Sequence, residues 1–145
     1  MNWKSVAIDK LKDYGVKQIG IQNMSEEIQE LKVRRRGIRS ASADSIAVHG
    51  GGSGREDAML NSIVLQKELE INLQGSQRWI KRVKNGLSIL DEEERRILER
   101  FYINPERGAA ERLSMDLGVD VKTVYHRKDR ALRKFTIAMY GVSES

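Results

Sequence analysis

The sequence predicts an all-α protein, with an extended N-terminal helical hairpin or coiled coil followed by a C-terminal helical domain. A single proline, Pro105, interrupts the 145 residues. Alternating runs of β-branched residues are scarce, and apolar residues recur at intervals of three and four, which is the period of a helix face. We expect residues 1–89 to form the extended helical region and residues 90–145 to form the second domain.

The composition limits the classes of function. Hydrophobic residues make up 39% of the chain and charged residues 32%, which suits amphipathic helices better than one large core. The absence of cysteine excludes disulfides and thiolate metal sites, and the two isolated histidines, His49 and His126, favour no metal cage. We therefore expect no metal and no cofactor. Without an apolar run of membrane-spanning length or a signal-peptide core, we expect a cytoplasmic protein with no membrane partner.

The first element is predicted to be a short amphipathic helix. Apolar residues of Met1 to Tyr14 share one face, and Gly15 is placed to end the helix. Ser25 is then a candidate N-cap for the next helix, because two acidic residues follow it where the helix dipole favours negative charge.

Two longer helices follow, separated by a glycine-rich loop at residues 40–55. The first covers residues 21–38, and the second runs from Glu56 to Asn85 with its apolar spacing continuing to Leu90. Such seams pack either as a hairpin within one chain or between subunits. A homo-oligomer that forms through helices 21–38 and 56–90 is therefore an alternative to the hairpin. The seam positions are Ile21, Met24, Ile28, Leu31, Arg35 and Ile38 in the first helix, and Leu69, Leu73, Ser76, Ile80, Val83, Leu87 and Leu90 in the second.

Two local motifs resemble catalytic or ligand sites but have simpler explanations. The segment HGGGSG at residues 49–54 lacks the spacing and the lysine of a phosphate-binding loop, and predicts a flexible connector. The acidic run that begins at Asp91 predicts a helix start, in which Asp91 and Glu94 form a capping box. No Ser/His/Asp or Cys/His set is present, so we do not expect an enzyme.

Residues 108–135 predict two helices joined by a tight turn. Ala109 to Leu117 has one apolar face, and Gly118 supplies the position where a left-handed conformation ends a helix. Val119 is placed to fill the corner, and Asp120 is a good N-cap for a second helix. This arrangement is typical of a helix-turn-helix DNA-binding motif.

The second of these helices is strongly basic. Residues 121–135 contain six lysines and arginines and one acid, a net charge of +5 that equals the formal charge of the whole chain. The inner face is predicted to contain Val124, Ala131, Leu132 and Phe135, which leaves the basic residues outside. A basic stripe of this kind favours a polyanion, most simply duplex DNA, although a solvated helix face is the alternative.

The segment from Leu90 to Phe135, containing LDEEERRILERFYI and AAERLSMDLGVDVKTVYHRKDRALRKF, resembles region 4 of the sigma-70 family. The tail TVYHRKDRALRKFTIAMYG is similar to phage and prophage late-transcription regulators of the ArpU and RinA type. The resemblance implies a sigma-70 region 4-like helix-turn-helix domain in a sequence-specific transcription regulator, an activator of phage late genes in the bacterial host cell. Its implied partners are double-stranded DNA and RNA polymerase.

The resemblance also implies roles for individual residues, with the recognition helix 121–135 in the major groove. The implied base contacts are Lys122, Thr123 and His126, Arg130 reaches a base or a phosphate, and the implied phosphate contacts are Tyr125, Arg127, Arg133 and Lys134. Arg127 stands where the sigma pattern has an apolar residue, so either the helix is rotated or the arginine stem covers the core.

Two other classes of function fit the same sequence pattern. A small terminase subunit, which recognises viral DNA for packaging, also joins a helix-turn-helix to oligomerising helices. A helical protein-interaction module that never touches DNA is the third class. For the DNA-binding classes, neutralisation of about five phosphates predicts a salt slope near −4 to −5.

Overall fold

The computed structural model describes residues 1–44 and 52–143, and every regular element in these ranges is helical. In chain order the elements are α1 (Trp3–Asp44), α2 (Gly52–Ser88), α3 (Glu92–Leu98), a π-helical turn (Glu99–Ile103), α4 (Ala109–Leu117) and α5 (Val121–Tyr140). The all-α prediction is confirmed for these residues.

The contacts divide the chain into two compact units. The terminal unit combines Met1–Gln18 with Arg78–Ser145, and the central unit is Ile19–Gln77. The predicted domain boundary at residues 89 and 90 stays a prediction, but residues from both sides of it share the core of the terminal unit.

Two apolar clusters form the core of the terminal unit. In the first, side chains from the start of α1 and the end of α2 pack with α3 and α5, and Phe135 is its largest fully buried residue. The second joins α3, α4 and α5. The buried members of the first cluster are Ala7, Leu11, Tyr14, Val83, Leu90, Leu98, Ala131, Leu132 and Phe135, and those of the second are Ile97, Ala110, Leu113 and Val124.

The predicted seam lies on the least exposed side of α1 in the central unit. Ile28 and Leu31 are each 5% exposed, and the remaining seam positions of both helices in this unit are half-buried. A side-chain hydrogen bond from Arg35 to Gln66 joins α1 to α2 within the chain. The hairpin arrangement as a whole stays a prediction.

The predicted boundaries of the first two helices are wrong. No helix ends at Gly15 and none starts at Ser25, because α1 continues through both positions. A glycine inside a helix costs only about 1 kcal/mol relative to alanine. The burial of Leu11 and Tyr14, in the turn just before Gly15, contributes more than this cost.

The predicted loop at residues 40–55 is also too long. Residues 40–44 belong to α1 and residues 52–55 belong to α2. The last three residues of the predicted connector at 49–54 therefore lie in a helix, and the rest of the predicted loop, residues 45–51, lies outside the described residues. The second helix starts at Gly52 rather than Glu56 and ends at Ser88 rather than Asn85.

Candidate nucleic-acid interface

The turn between α4 and α5 has the predicted local geometry. Gly118 has φ +67°, in the left-handed region where a side chain is disfavoured. The backbone N–H of Val119 donates to the carbonyl of Ser114 at 3.2 Å, and the Val119 side chain packs against the second cluster. A backbone hydrogen bond therefore fixes the turn to α4, and the apolar contact of Val119 fixes it to the second cluster, which joins α4 and α5.

Asp120 caps α5, as predicted. Its carboxylate accepts from the backbone N–H of Thr123 at 2.8 Å. Hydrogen bonds from the hydroxyl and the backbone N–H of Thr123 hold the pKa of the Asp120 carboxyl below its usual value. The Thr123 side chain is half-exposed beside this cap, and its base contact stays a prediction.

Asp91 caps α3 in the same way. Its carboxylate accepts from the backbone N–H of Glu94 at 2.8 Å, and the Glu94 carboxylate accepts from the backbone N–H of Asp91 at 3.2 Å. The predicted capping box is confirmed. The backbone hydrogen bond from Glu94 is the main cause that lowers the pKa of the Asp91 carboxyl.

The outer face of α5 presents one continuous polar stripe, which we call the α5 stripe. It consists of Lys122, His126, Arg130 and Arg133, spaced four, four and three residues apart, so the four side chains share one helix face. All four are exposed, while the opposite face holds fully buried residues such as Val124 and Phe135. Among the residues that the structure describes, none of the four takes part in an ion pair.

Two predicted phosphate contacts lie on another side of α5 and are already paired. Arg127 donates to the Glu93 carboxylate of α3. The Nζ atom of Lys134 lies 3.0 Å from Oε2 of Glu94. Both cations therefore face acids of α3, and their phosphate contacts stay predictions.

The ion pair fixes where the charged end of Arg127 lies. Its side chain is 38% exposed and reaches from α5 to the Glu93 carboxylate of α3. A cleft of about 300 Å³ opens beside it, lined by Asp91, Glu93, Glu94, Ile97, Arg127, Arg130 and Lys134.

Tyr125 is held by an aromatic and cationic cluster at the side of α5. Its ring is 45% exposed and lies 5.8 Å from the Phe101 ring, centroid to centroid. The Nζ atom of Lys128 is 5.0 Å from the Tyr125 ring centroid and 5.2 Å from that of Phe101. Lys128 was not among the predicted site residues, although its spacing of three from Tyr125 on a helix indicates a shared face.

Two arginines at the exposed side of α4 are each paired with an acid. Arg100 lies 2.6 Å from Asp116, and Arg112 lies 3.6 Å from Glu106. Met115, between the two pairs, is 83% exposed. In the part of the chain described here, unpaired cations thus concentrate on α5 rather than on α4.

Neither a family model nor a curated protein nor a solved structure matches this chain. None of the described helices is both long and apolar enough to cross a membrane. Among the described residues, no group of three or more His, Cys, Asp or Glu side chains is arranged to hold a metal ion.

Proposed function

We propose that this protein binds double-stranded DNA as a sequence-specific transcription regulator, with α5 as the recognition helix in the major groove. The resemblance of the tail, residues 123–141, to phage late-transcription regulators extends the proposal to activation of phage late genes, in the cytoplasm of the bacterial host and in contact with RNA polymerase.

The observation that carries the proposal is the α5 stripe. Four exposed polar side chains, three of them permanently cationic, lie on one face of a helix whose other face is fixed in the core. A helix with its side chains is about 10–12 Å across, which matches the roughly 12 Å width of the major groove. The stripe extends about 16 Å along the helix axis from Lys122 to Arg133, and its positive charge suits a groove bordered by phosphates.

Position along the stripe separates the roles of its members. Lys122 and His126 lie in the first two turns of α5, where recognition helices meet base edges, and both donate to purine acceptors. Arg130 and Arg133 lie further along and are better placed for phosphates. Thr123 lies in the same first turn as Lys122, and its half-exposed side chain is a third candidate for a base contact.

Sequencing the genomic fragments that the purified full chain retains tests the proposal. Enrichment of promoters supports a regulator, enrichment of one packaging site supports a small terminase subunit, and no enrichment over input supports a protein-interaction module. The variant Arg130→Gln with Arg133→Gln is expected to lose most retention. A control with Lys12→Gln and Lys67→Gln removes two exposed cations elsewhere and is expected to keep it.

A second comparison distinguishes base contact from phosphate contact. Lys122→Ala is expected to reduce the preference at one base pair by about 1–3 kcal/mol. Arg133→Ala is expected to weaken all sequences alike and to make the salt slope shallower by about one. Equal loss on selected and scrambled DNA for Lys122→Ala would show that the first turn of α5 does not meet the bases.

A further inference from the structure

The central unit buries few of its side chains. Among its described residues only Ile28 and Leu31 are buried, and both apolar clusters of the fold lie in the terminal unit. Two helices that pack side by side cover only one side of each other, so their outer sides stay in water. Such outer sides are normally polar. A continuous apolar outer side therefore indicates a further partner.

The outer side of α2 in this unit is apolar. Leu60, Val64 and Ile71 are 59%, 57% and 62% exposed. Their spacings of four and seven place them on one helix face. The opposite face of α2 contacts α1, because Gln66, which accepts from Arg35 of α1, lies two residues after Val64 and so points to the other side of the helix.

The outer side of α1 is different. Its apolar residues Ile19 and Val33 are 64% and 61% exposed, but they are fourteen residues apart, and the exposed acid Glu26 lies midway between them. Single apolar residues on a surface are common and require no partner. In the described part of the central unit, the continuous apolar outer face therefore belongs to α2.

Two charged residues complete this face of α2 to a regular seam, which we call the α2 outer seam. Its members follow one another at spacings of three, four, three and four, which is the pattern of a coiled coil. Both charged members are exposed, and neither forms an ion pair with another described residue. The seam consists of Asp57, Leu60, Val64, Lys67 and Ile71.

The order of residues in the α2 outer seam makes it complementary to itself. When a second α2 runs antiparallel, with the two-fold axis at residue 62, Leu60 lies opposite the second copy's Val64. In the same alignment Asp57 lies opposite the second copy's Lys67. The two-fold axis repeats both contacts, so apolar side chains meet in the middle and an ion pair forms on either side of them.

We propose that the α2 outer seam is a dimerisation surface, and that its occupant is the antiparallel α2 of a second copy of this chain. The contact covers the side of α2 that α1 does not reach, as neighbouring helices do in a bundle. It differs from pairing between subunits through the inner seams. The hydrogen bond from Arg35 to Gln66 on the other side of α2 stays intact.

The length of the seam sets the expected affinity. From Asp57 to Ile71 it extends about 21 Å along the helix. Because this is short for a protein interface, we expect a reversible dimer with a Kd of about 10–100 µM rather than a permanent one. Exposed ion pairs contribute little, but reversing one charge places like charges together on both sides of the axis. We expect such a reversal to weaken association by about tenfold.

Sedimentation equilibrium of the full chain, over about 5–500 µM, measures the association. The mass of the parent should rise from 16.6 kDa towards twice that value. Leu60→Gln with Val64→Gln should stay monomeric. The matched control is Ile19→Gln with Val33→Gln, which replaces equally exposed apolar residues of α1 and should associate like the parent. Circular dichroism verifies that all variants retain the helix content of the parent.

A charge exchange tests the antiparallel alignment. Asp57→Lys and Lys67→Asp should each weaken association. The two together should restore it, because each opposed pair then joins opposite charges again. Glu26→Lys changes the net charge by the same amount as Asp57→Lys, and it should leave association unchanged.

Three results would overturn the proposal. A parent that is monomeric at the highest concentration leaves the seam to water or to another protein. Equal weakening by Ile19→Gln with Val33→Gln means that the chains associate through a different surface. A combined charge exchange that does not restore association excludes the antiparallel alignment. None of these measurements involves DNA, so the proposed function and this dimer fail separately.

Discussion

Replacing Glu93 by glutamine is expected to strengthen binding to duplex DNA of any sequence. In the structure the Glu93 carboxylate accepts from Arg127, so the cation is neutralised within the protein before DNA arrives. Glutamine retains a hydrogen-bond acceptor but removes the charge. Arg127 then has no carboxylate partner at residue 93, and its charge beside the α5 stripe is able to neutralise one phosphate.

The size of the effect follows from counterion release. One additional phosphate contact makes the slope of log K against log salt steeper by about 0.9, which is about an eightfold gain in affinity at 0.1 M salt. The ion pair itself is partly exposed, with both side chains at 38%. Its loss should therefore change the free energy of unfolding by no more than about 1 kcal/mol.

Fluorescence anisotropy on a labelled duplex, at five or six salt concentrations, measures both affinity and slope. Glu92→Gln is the matched control, because it removes a neighbouring exposed acid that has no ion pair within the described residues. Arg127→Ala completes a double-mutant cycle with Glu93→Gln. Arg127→Ala alone should have little effect, and it should abolish the gain that Glu93→Gln produces.

Two results would refute this reasoning. An equal gain for Glu92→Gln would mean that the effect comes from net charge and not from release of Arg127. A large loss of affinity for Arg127→Ala in the parent would mean that DNA already displaces Glu93. The ion pair would then not keep Arg127 from contacting phosphates.

Three further predictions concern stability. Leu132→Ala should lower the free energy of unfolding by about 2–5 kcal/mol because it leaves a cavity in the core; an unchanged thermal melt would contradict the inner face of α5. Gly86→Ala should lower the free energy of unfolding by about 1–3 kcal/mol relative to Gly75→Ala, since a Cβ at Gly86 would lie 3.0 Å from the Phe135 ring while one at Gly75 has nothing within 4 Å. Equal melting temperatures of the two variants would refute the close packing at Gly86. The pKa of the Asp120 carboxyl in the folded protein lies below its usual 3.8. The ionised carboxyl therefore stabilises the folded state fully above pH 3.8, and this stabilisation is lost as the pH falls through the folded pKa. Asp120→Asn keeps the cap and should show a smaller loss of melting temperature between pH 4 and pH 2; an identical loss would assign the acid sensitivity to other carboxyls.

The sequence predicted the α4–α5 turn well because several local signals agree there. Gly118 is followed two residues later by Asp120, so a residue that ends a helix and one that starts a helix are separated by a single residue. Both adopt the expected conformations. Asp91 and Glu94 form the same kind of mutually supporting pair at the start of α3. Such signals depend on neighbours within a few residues, which sequence shows directly.

The failures arise where distant residues decide the outcome. Gly15 was a single signal, and the two acids after Ser25 are equally compatible with a helix interior. The helix α1 continues through both positions. The neutralisation of Arg127 was not predictable from local pattern, because its partner Glu93 lies 34 residues earlier. Lys134 and Glu94 are 40 residues apart. Sequence shows the charge on α5 but not which acids of another helix offset it.

The shared core of the terminal unit has a consequence for how the chain acquires its structure. Ala7 and Leu11 pack with Ala131 and Phe135, which lie about 120 residues later in the sequence. Contacts of such high sequence separation slow folding, because a long loop must close before they contribute. During translation the start of α1 therefore lacks its full apolar partners until α5 has emerged. A fragment that starts at residue 90 would leave the apolar face of α5 without these partners, so we expect the proposed DNA binding to require the start of α1.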